Sequence, residues 1–233
     1  MSAKNTARNS KHGKHGTSDD SGISRRRRAA QAEGQHEYRA RRAAIVRVAA
    51  EVFAEKGFEG AKLADIAERF GIDRASLYYY VGNKNELFRD GVEGVTDGNV
   101  AKGEEILKLP LPARERLQLL VEHLLDSYER SYPYVHVYMQ QDVNQVAAVL
   151  GEEWSNQMLR KLRRLQSITM QLIAEGIDEG TFRPDMRTDL ATNALFGMLN
   201  WTHRWYKPGR STSARDVAAA FSSIFFDGMT VRD

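Results

Sequence analysis

The stretch from Lys62 to Leu77 admits few folds. Ile66, Ala67 and Phe70 recur at helical spacing, Gly71 interrupts them, and Ile72 and Leu77 begin a second apolar pattern. Two helices so close together require a sharp reversal. Glycine reaches the positive φ of such a turn at no steric cost. Ala67 is small enough for the helices to touch there, Leu77 anchors the second helix, and Asp73 offers it an N-cap. The spacing predicts helices over about 62–70 and 74–80 joined as a helix-turn-helix.

The rest of the chain is patterned for helix, and the fold class is all-α. Ile45, Val48, Ala49, Val52 and Phe53 line one face of a helix that Gly57 ends. Asn83 and Glu86 make a capping box for a fourth helix. Further helices are expected over about 113–130, 134–150, 152–175, 187–206 and 213–229, with breaks at Pro110, Pro112, Gly176, Gly180, Pro184 and Pro208-Gly209. No alternating, β-branched run points to a sheet.

Charge divides the chain into three parts. The net charge is +3, yet residues 1–36 alone carry +5, residues 37–90 carry +1 and residues 91–233 carry −3. Residues 1–36 have almost no large apolar side chains and are expected to lack fixed structure. Their run Arg25 to Arg28 reads equally as an arm laid on phosphates or as a solubilising tail. Residues 37–90 form the helix-turn-helix domain, and residues 91–233 form a second helical domain. Cysteine is absent, which excludes disulfides, thiolate metal sites and a cysteine nucleophile. No apolar run reaches the ~20 residues of a membrane span, and no secretory leader is evident. A cytoplasmic protein without membrane partners is expected.

Positive charge beside a helix-turn-helix points to double-stranded DNA. The second helix would present Arg74, Ala75, Ser76, Tyr78 and Tyr79 to a major groove. Arg74 suits a guanine edge or a phosphate, and Ala75 a thymine methyl. Ser76 tolerates several partners. Tyr78 and Tyr79 suit phosphates, which set register. Three consecutive tyrosines cannot all face inward on a helix, and Tyr80 is assigned to the core. Lys84, in the first turn of the next helix, is placed for a phosphate.

From Phe53 to Phe88 the sequence FAEKGFEGAKLADIAERFGIDRASLYYYVGNKNELF resembles the DNA-binding region of the TetR family. The Gly-aromatic pair, Asp-Ile-Ala, the Gly-Ile-Asp turn and Leu-Tyr-Tyr-Tyr followed by Lys carry the likeness. The family usually has Thr or Ser where this chain has Ala61 and Lys62; Lys62 would replace that phosphate contact. The resemblance implies a transcriptional repressor that binds a palindromic operator and is released by a small effector.

The C-terminal domain is left for sensing and pairing. Val217, Ala220, Phe221, Ile224 and Phe225 form one helical stripe, and Leu190, Ala194 and Met198 another. Paired with their copies they would make a four-helix interface, though the stripes alone also fit ordinary internal packing. A homodimer is expected because two-fold pairing lets both recognition helices reach half-sites. Two aromatic- and amide-rich stretches, Tyr132 to Gln141 and Phe196 to Tyr206, read as pocket walls or as bundle core. Tyr138, Met139, Phe196, Asn200, Trp201, Arg204 and Trp205 are the candidate effector contacts. Asp178 to Asp185 and Asn200 to Gly209 also resemble repressors that respond to acyl-coenzyme A thioesters, including regulators of sterol-ring and fatty-acid catabolism. In them an Arg and a Trp on the penultimate helix approach the ligand, which implies that role for Arg204 and Trp205. Arg160, Lys161, Arg163 and Arg164 read as a solvated helix face.

Other readings stay open at this point. A cationic drug or metabolite would want buried carboxylates, for which Glu122 and Asp142 are available. An architectural DNA-binding protein would need no effector. An enzyme is not expected: the six histidines lack metal-ligand spacing, and neither a nucleophile elbow nor a phosphate loop is present. No cofactor and no metal are implied.

Overall fold

A computed structural model describes residues 19–140 and 150–229. Its contacts group the chain into two units, Met1–Ala43 and Ala44–Asp233. Among the described residues the order is α1 (Asp19–Gly60), α2 (Leu63–Phe70), α3 (Arg74–Tyr80), α4 (Lys84–Leu107), α5 (Ala113–Arg130), α6 (Tyr132–Gln140), α7 (Glu152–Asp178), α8 (Thr188–Trp201) and α9 (Ala214–Met229). A 3₁₀ turn over Thr202–Arg204 follows α8. Gln141 and Asp142 lie outside the described residues, as do residues 141–149 of the helix expected over 134–150.

One expectation fails at the N-terminus. Residues 19–36 belong to α1 rather than lacking structure. The expectation weighed only burial; Arg, Ala, Gln and Glu dominate this stretch and are strong helix formers. Gly57, at φ 72° and ψ 162°, breaks the helical path inside α1, as its position predicted.

In the second unit two cores form. The first gathers Ile45, Ala49, Val52 and Phe53 of α1 with Ile66, Leu77, Leu87 and Phe88, all buried. It extends to Tyr134 and Val137 of α6 and to Trp154 and Met158 of α7. The second packs Leu117, Leu120 and Leu125 of α5 against Ile168 and Leu172 of α7, Leu195 of α8, and Val217, Phe225 and Phe226 of α9. Val217 and Phe225, expected on the dimer face, are therefore core residues.

Polar ties fix the short helices. Gly71, at φ 79°, ends α2 with N–H bonds from Gly71 to Glu68 O (3.1 Å) and from Ile72 to Ala67 O (3.0 Å), a Schellman pair. Arg69 makes a bidentate pair with Glu55, at 2.8 and 2.5 Å, holding α2 on α1. Asp73 accepts from the Ser76 backbone N–H at 2.9 Å and caps α3. Asn83 caps α4 through the Glu86 N–H at 2.9 Å, while the Glu86 carboxylate accepts from Gly82 N–H at 2.8 Å. The capping box is thus shifted by one residue. Lys161–Asp97 and Arg164–Glu104, each 2.6 Å, tie α7 to α4, so half of the expected solvated cluster is paired.

Candidate functional site

The second unit carries three separate features: an exposed helical face, a cavity and an exposed apolar line. On α3 the pattern separates cleanly. Leu77 is fully buried, and Arg74, Ala75, Ser76, Tyr78 and Tyr79 are all exposed. Tyr78 and Tyr79 leave 46% and 72% of their surface to solvent. Tyr80 is half-buried against the N-terminal core, edge-on to Tyr79 at 5.0 Å. The Arg74 guanidinium donates to the Tyr78 hydroxyl at 3.1 Å and lies 5.5 Å from its ring centre. The Ser76 hydroxyl donates to Asp73 at 2.6 Å, which ties it into the cap. That bond, followed by those of nearby N–H groups, holds the Asp73 carboxyl below its ordinary range.

Lys62 is exposed at the N-cap of α2. An ammonium has no acceptor, so it gives the first-turn N–H groups no side-chain bond. The order there comes from Asp65, which accepts from Lys56 at 2.8 Å and from the Lys62 backbone N–H at 2.8 Å. Lys84 is placed differently from its expected phosphate role. Its ammonium donates to the carbonyls of Phe58 (2.9 Å) and Glu59 (3.1 Å) and sits 4.7 Å from the centre of the Phe58 ring. It joins the start of α4 to the segment just before α2.

The cavity, of about 430 Å³, lies between α4, α5, α6, α7 and the end of α8. Of the residues proposed from sequence, Tyr138, Met139, Phe196 and Asn200 line it. Trp201, Arg204 and Trp205 do not. The inward face at the end of α8 is Phe196, Leu199, Asn200 and His203, and Trp201 lies one residue, about 100°, around the helix. Trp201 is 60% exposed with the Arg204 guanidinium 5.0 Å from its ring centre. Trp205 packs edge-on against Phe221.

Sequence reasoning missed the walls made by α4 and α7. Val92, Val95, Thr96 and Asn99 recur at i, i+3, i+4 and i+7; Ser155, Leu159, Leu162 and Gln166 follow a similar spacing. Those stripes were the available signal. Among the described residues no Asp, Glu, Lys or Arg lines the cavity. Glu122 is exposed on α5, so it does not serve a buried cation site. Among the described residues no group of three or more His, Cys, Asp or Glu could hold a metal ion, and no helix is long and apolar enough to cross a membrane.

A third feature is an exposed apolar line. Leu190, Ala194, Gly197 and Trp201 follow one another at i, i+4, i+7 and i+11 along α8, and all are exposed. Ala220 and Ile224 are exposed on α9, with Ile224 at 66%, while Phe221 and Met198 are half-buried.

Comparison with known proteins agrees with this architecture. Residues 45–90 match the family described as bacterial regulatory proteins, tetR family. Residues 110–229 match the tetracyclin repressor-like C-terminal domain. The chain is similar to the HTH-type transcriptional repressor KstR2 of Rhodococcus jostii, with 30% identity over 81% of this chain and 91% of that protein. The solved structure of the ketosteroid transcriptional regulator KstR2 of Mycobacterium tuberculosis superposes with a TM-score of 0.73 and 27% identity, covering 82% of this chain and 96% of that one. The TetR family regulator PfmR of Thermus thermophilus gives a TM-score of 0.70 at 29% identity, covering 78% and 97%. These relatives are transcriptional regulators rather than enzymes. With both family models matched in order, and a helix-turn-helix followed by a helical domain that encloses a cavity, the chain belongs to the TetR family of transcriptional regulators.

Proposed function

We propose that the protein is a cytoplasmic, homodimeric repressor that binds palindromic operator DNA and is released when an effector enters the cavity. The observation that carries this reading is the exposed, capped face of α3 beside a core that already holds Leu77. Arg74 reads a base edge, Ala75 contacts a thymine methyl, and Ser76, Tyr78, Tyr79 and Lys62 lie along the backbone. Lys84 supports this face by holding α4 to the segment before α2. The exposed line on α8 and α9 is the dimer face, and its small Ala and Gly residues allow close helix approach.

Release follows from how α4 and α6 are placed. Val92, Val95, Thr96 and Asn99 of α4 line the cavity, and the first residue of the same helix is Lys84. On α6, Val135, Tyr138 and Met139 line the cavity, while Tyr134 donates its hydroxyl to the Val46 carbonyl of α1. A ligand that wedges these walls apart shifts the population toward a state with altered recognition-helix spacing. A 100-fold loss of operator affinity needs a coupling of about 2.7 kcal/mol.

For the effector we propose a bulky acyl thioester. Its acyl part suits the apolar walls, and its charged coenzyme part would stay outside, near the exposed Trp201 and Arg204 and against Trp205. The ketosteroid regulator among the relatives supports an apolar carbon skeleton as the buried part. Among the described residues no carboxylate lines the cavity, which favours this reading over a cationic effector.

The test is operator binding by fluorescence anisotropy, on sites selected from random duplexes, with acyl thioesters titrated over the complex. Effector-dependent loss of affinity is expected. Affinity that ignores every thioester would remove the effector assignment. Binding without sequence preference, and with only a steep salt dependence, would favour an architectural role instead.

A further inference from the structure

The positive charge of this chain lies apart from its helix-turn-helix. Residues 1–43 carry eleven Lys and Arg against four Asp and Glu, a net +7. Residues 44–233 carry twenty-three against twenty-seven, a net −4, and residues 44–90, which hold the helix-turn-helix, are at −1. Phosphates supply much of the affinity of a protein for a duplex and draw it in at long range. A unit of negative net charge gains nothing from that attraction, so it rests with the first unit, Met1–Ala43.

Within that unit α1 is helical from Asp19 onward, and the helix sorts its charges. At 100° per residue, Arg25, Arg28, Arg39 and Arg42 fall on one face about 100° wide. The other positions on that face are Ser21, Ser24, Ala32, Gln35 and Ala43, so it has neither an acid nor a large apolar residue. Asp19, Glu33 and Glu37 fall together on the opposite side, and Asp20 also lies off the face. Arg26, Arg27 and Arg41 lie off it too. Gln35 and Arg39 are exposed, and Arg42 is half-buried. Residues 19–43 span roughly 37 Å of helix, close to the ~34 Å of one duplex turn.

A membrane surface or an apolar protein partner would want bulky side chains on this face, and it has none. A phosphate backbone asks only for cations and donors. We infer that this face of α1 is a second DNA-binding site, which docks on phosphates of the duplex flanking the operator and adds affinity without sequence preference. It rests on the chain being brought to an operator by α3.

The test compares two full-length variants that lose equal charge: R25Q/R28Q/R39Q on the face and R26Q/R27Q/R41Q off it. Glutamine has nearly the helix propensity of arginine, and circular dichroism should match the parent in both. Affinity is measured over a range of salt, on the selected operator carried in a duplex extended by one helical turn at each end. The face variant should flatten the slope of log affinity against log salt by about 5 in a dimer, at about 0.9 for each lost phosphate contact. The variant off the face should flatten it far less. Trimming the duplex to the operator should flatten the slope of the parent and leave that of the face variant unchanged. R25K/R28K/R39K should restore the parent's slope. Equal slopes for the two glutamine variants overturn the inference, because an unstructured basic tail would behave so. A parent indifferent to trimming overturns it as well, as does a slope that lysine fails to restore. So does a face variant that matches the parent on DNA but loses binding to phosphatidylglycerol vesicles, which would make the partner a membrane. Operator selection on the parent separates this inference from the role of α3. Slopes that divide as expected, in a parent that selects no operator, leave the α1 site standing and remove that role. A selected operator with undivided slopes does the reverse.

Discussion

Single side chains here divide into those that the proposed function sets against DNA and those that hold that surface in place. Tyr79 is exposed and its hydroxyl suits a phosphate, so Tyr79→Phe should weaken operator and non-operator DNA by a similar factor. Arg74→Ala should instead relax preference at one base position, at about 1–3 kcal/mol for the lost base contact. Parallel selection experiments on the two variants check this, and identical sequence profiles would contradict it. Because Arg74 donates to Tyr78, Tyr78→Phe should move in the same direction as Arg74→Ala, though less far. Tyr134→Phe removes only the bond to Val46 O. It should leave effector affinity close to that of the parent and reduce the loss of operator affinity that effector causes.

At the level of elements, α4 and α6 meet at a fitted contact. A methyl group built on Gly91 would lie 2.5 Å from the Tyr134 ring. Alanine in mid-helix gains about 0.5–1 kcal/mol over glycine, whereas overpacking costs about 1–3 kcal/mol. Gly91→Ala should therefore lower the denaturation midpoint in urea, and a raised midpoint would show that α6 yields freely. The helix-turn-helix depends on carboxylates in another way. Lys56 holds Asp65 below its ordinary range, the Ser76 hydroxyl does so for Asp73, and Arg69 does so for Glu55. Groups with depressed folded values contribute stability above the unfolded carboxylate range. That stability is lost as pH falls through and below about 4. Amide exchange in α2 and α3 should rise over that window before exchange in α7 does. Glu55 and Asp73 are exposed and Asp65 is half-buried, so salt should blunt the effect, least at Asp65.

For the whole molecule, the exposed line of Leu190, Ala194, Gly197, Trp201, Ala220 and Ile224 sets the expected assembly. Ile224→Glu would place a charge on a face that is desolvated in a dimer, and it should shift sedimentation from dimer to monomer. The same variant should lose palindromic operator binding while keeping its helical circular dichroism. Half-sites should lie ~34–36 Å apart or a multiple of that. A second stabilising device lies in the C-terminal core. Arg116 is 8% exposed, pairs with Glu175 at 2.6 Å and donates to Leu107 O at 3.0 Å, joining α4, α5 and α7. Burial opposes ionisation of Glu175, but its bonds from Gln171 and Arg116 outweigh that and keep its carboxyl below the usual range. Glu175→Gln should lower the melting temperature, because the buried Arg116 charge would keep only Glu179, 3.7 Å away.

Local chemistry alone determined the helices, their caps at Asp73 and Asn83, the Gly71 turn, and which side of α3 faces outward. These depend on residues within a turn or two of each other, where periodicity and turn preference act directly. The family was legible for the same reason, since its signature is a contiguous run around Gly57 to Phe88. Tertiary structure decided what meets across the bundle. Trp201, Arg204 and Trp205 read as pocket residues by type, yet a rotation of one residue on α8 sends Trp201 outward and admits His203. Val217 and Phe225 share a stripe with Ile224, but α5 covers part of that stripe and leaves the rest open. Lys84 stands in a phosphate-binding position by sequence and bonds instead to carbonyls some 25 residues earlier. A helix advances 100° per residue, so neighbours in sequence face different surroundings. Only the packing of distant segments settles which of them is covered.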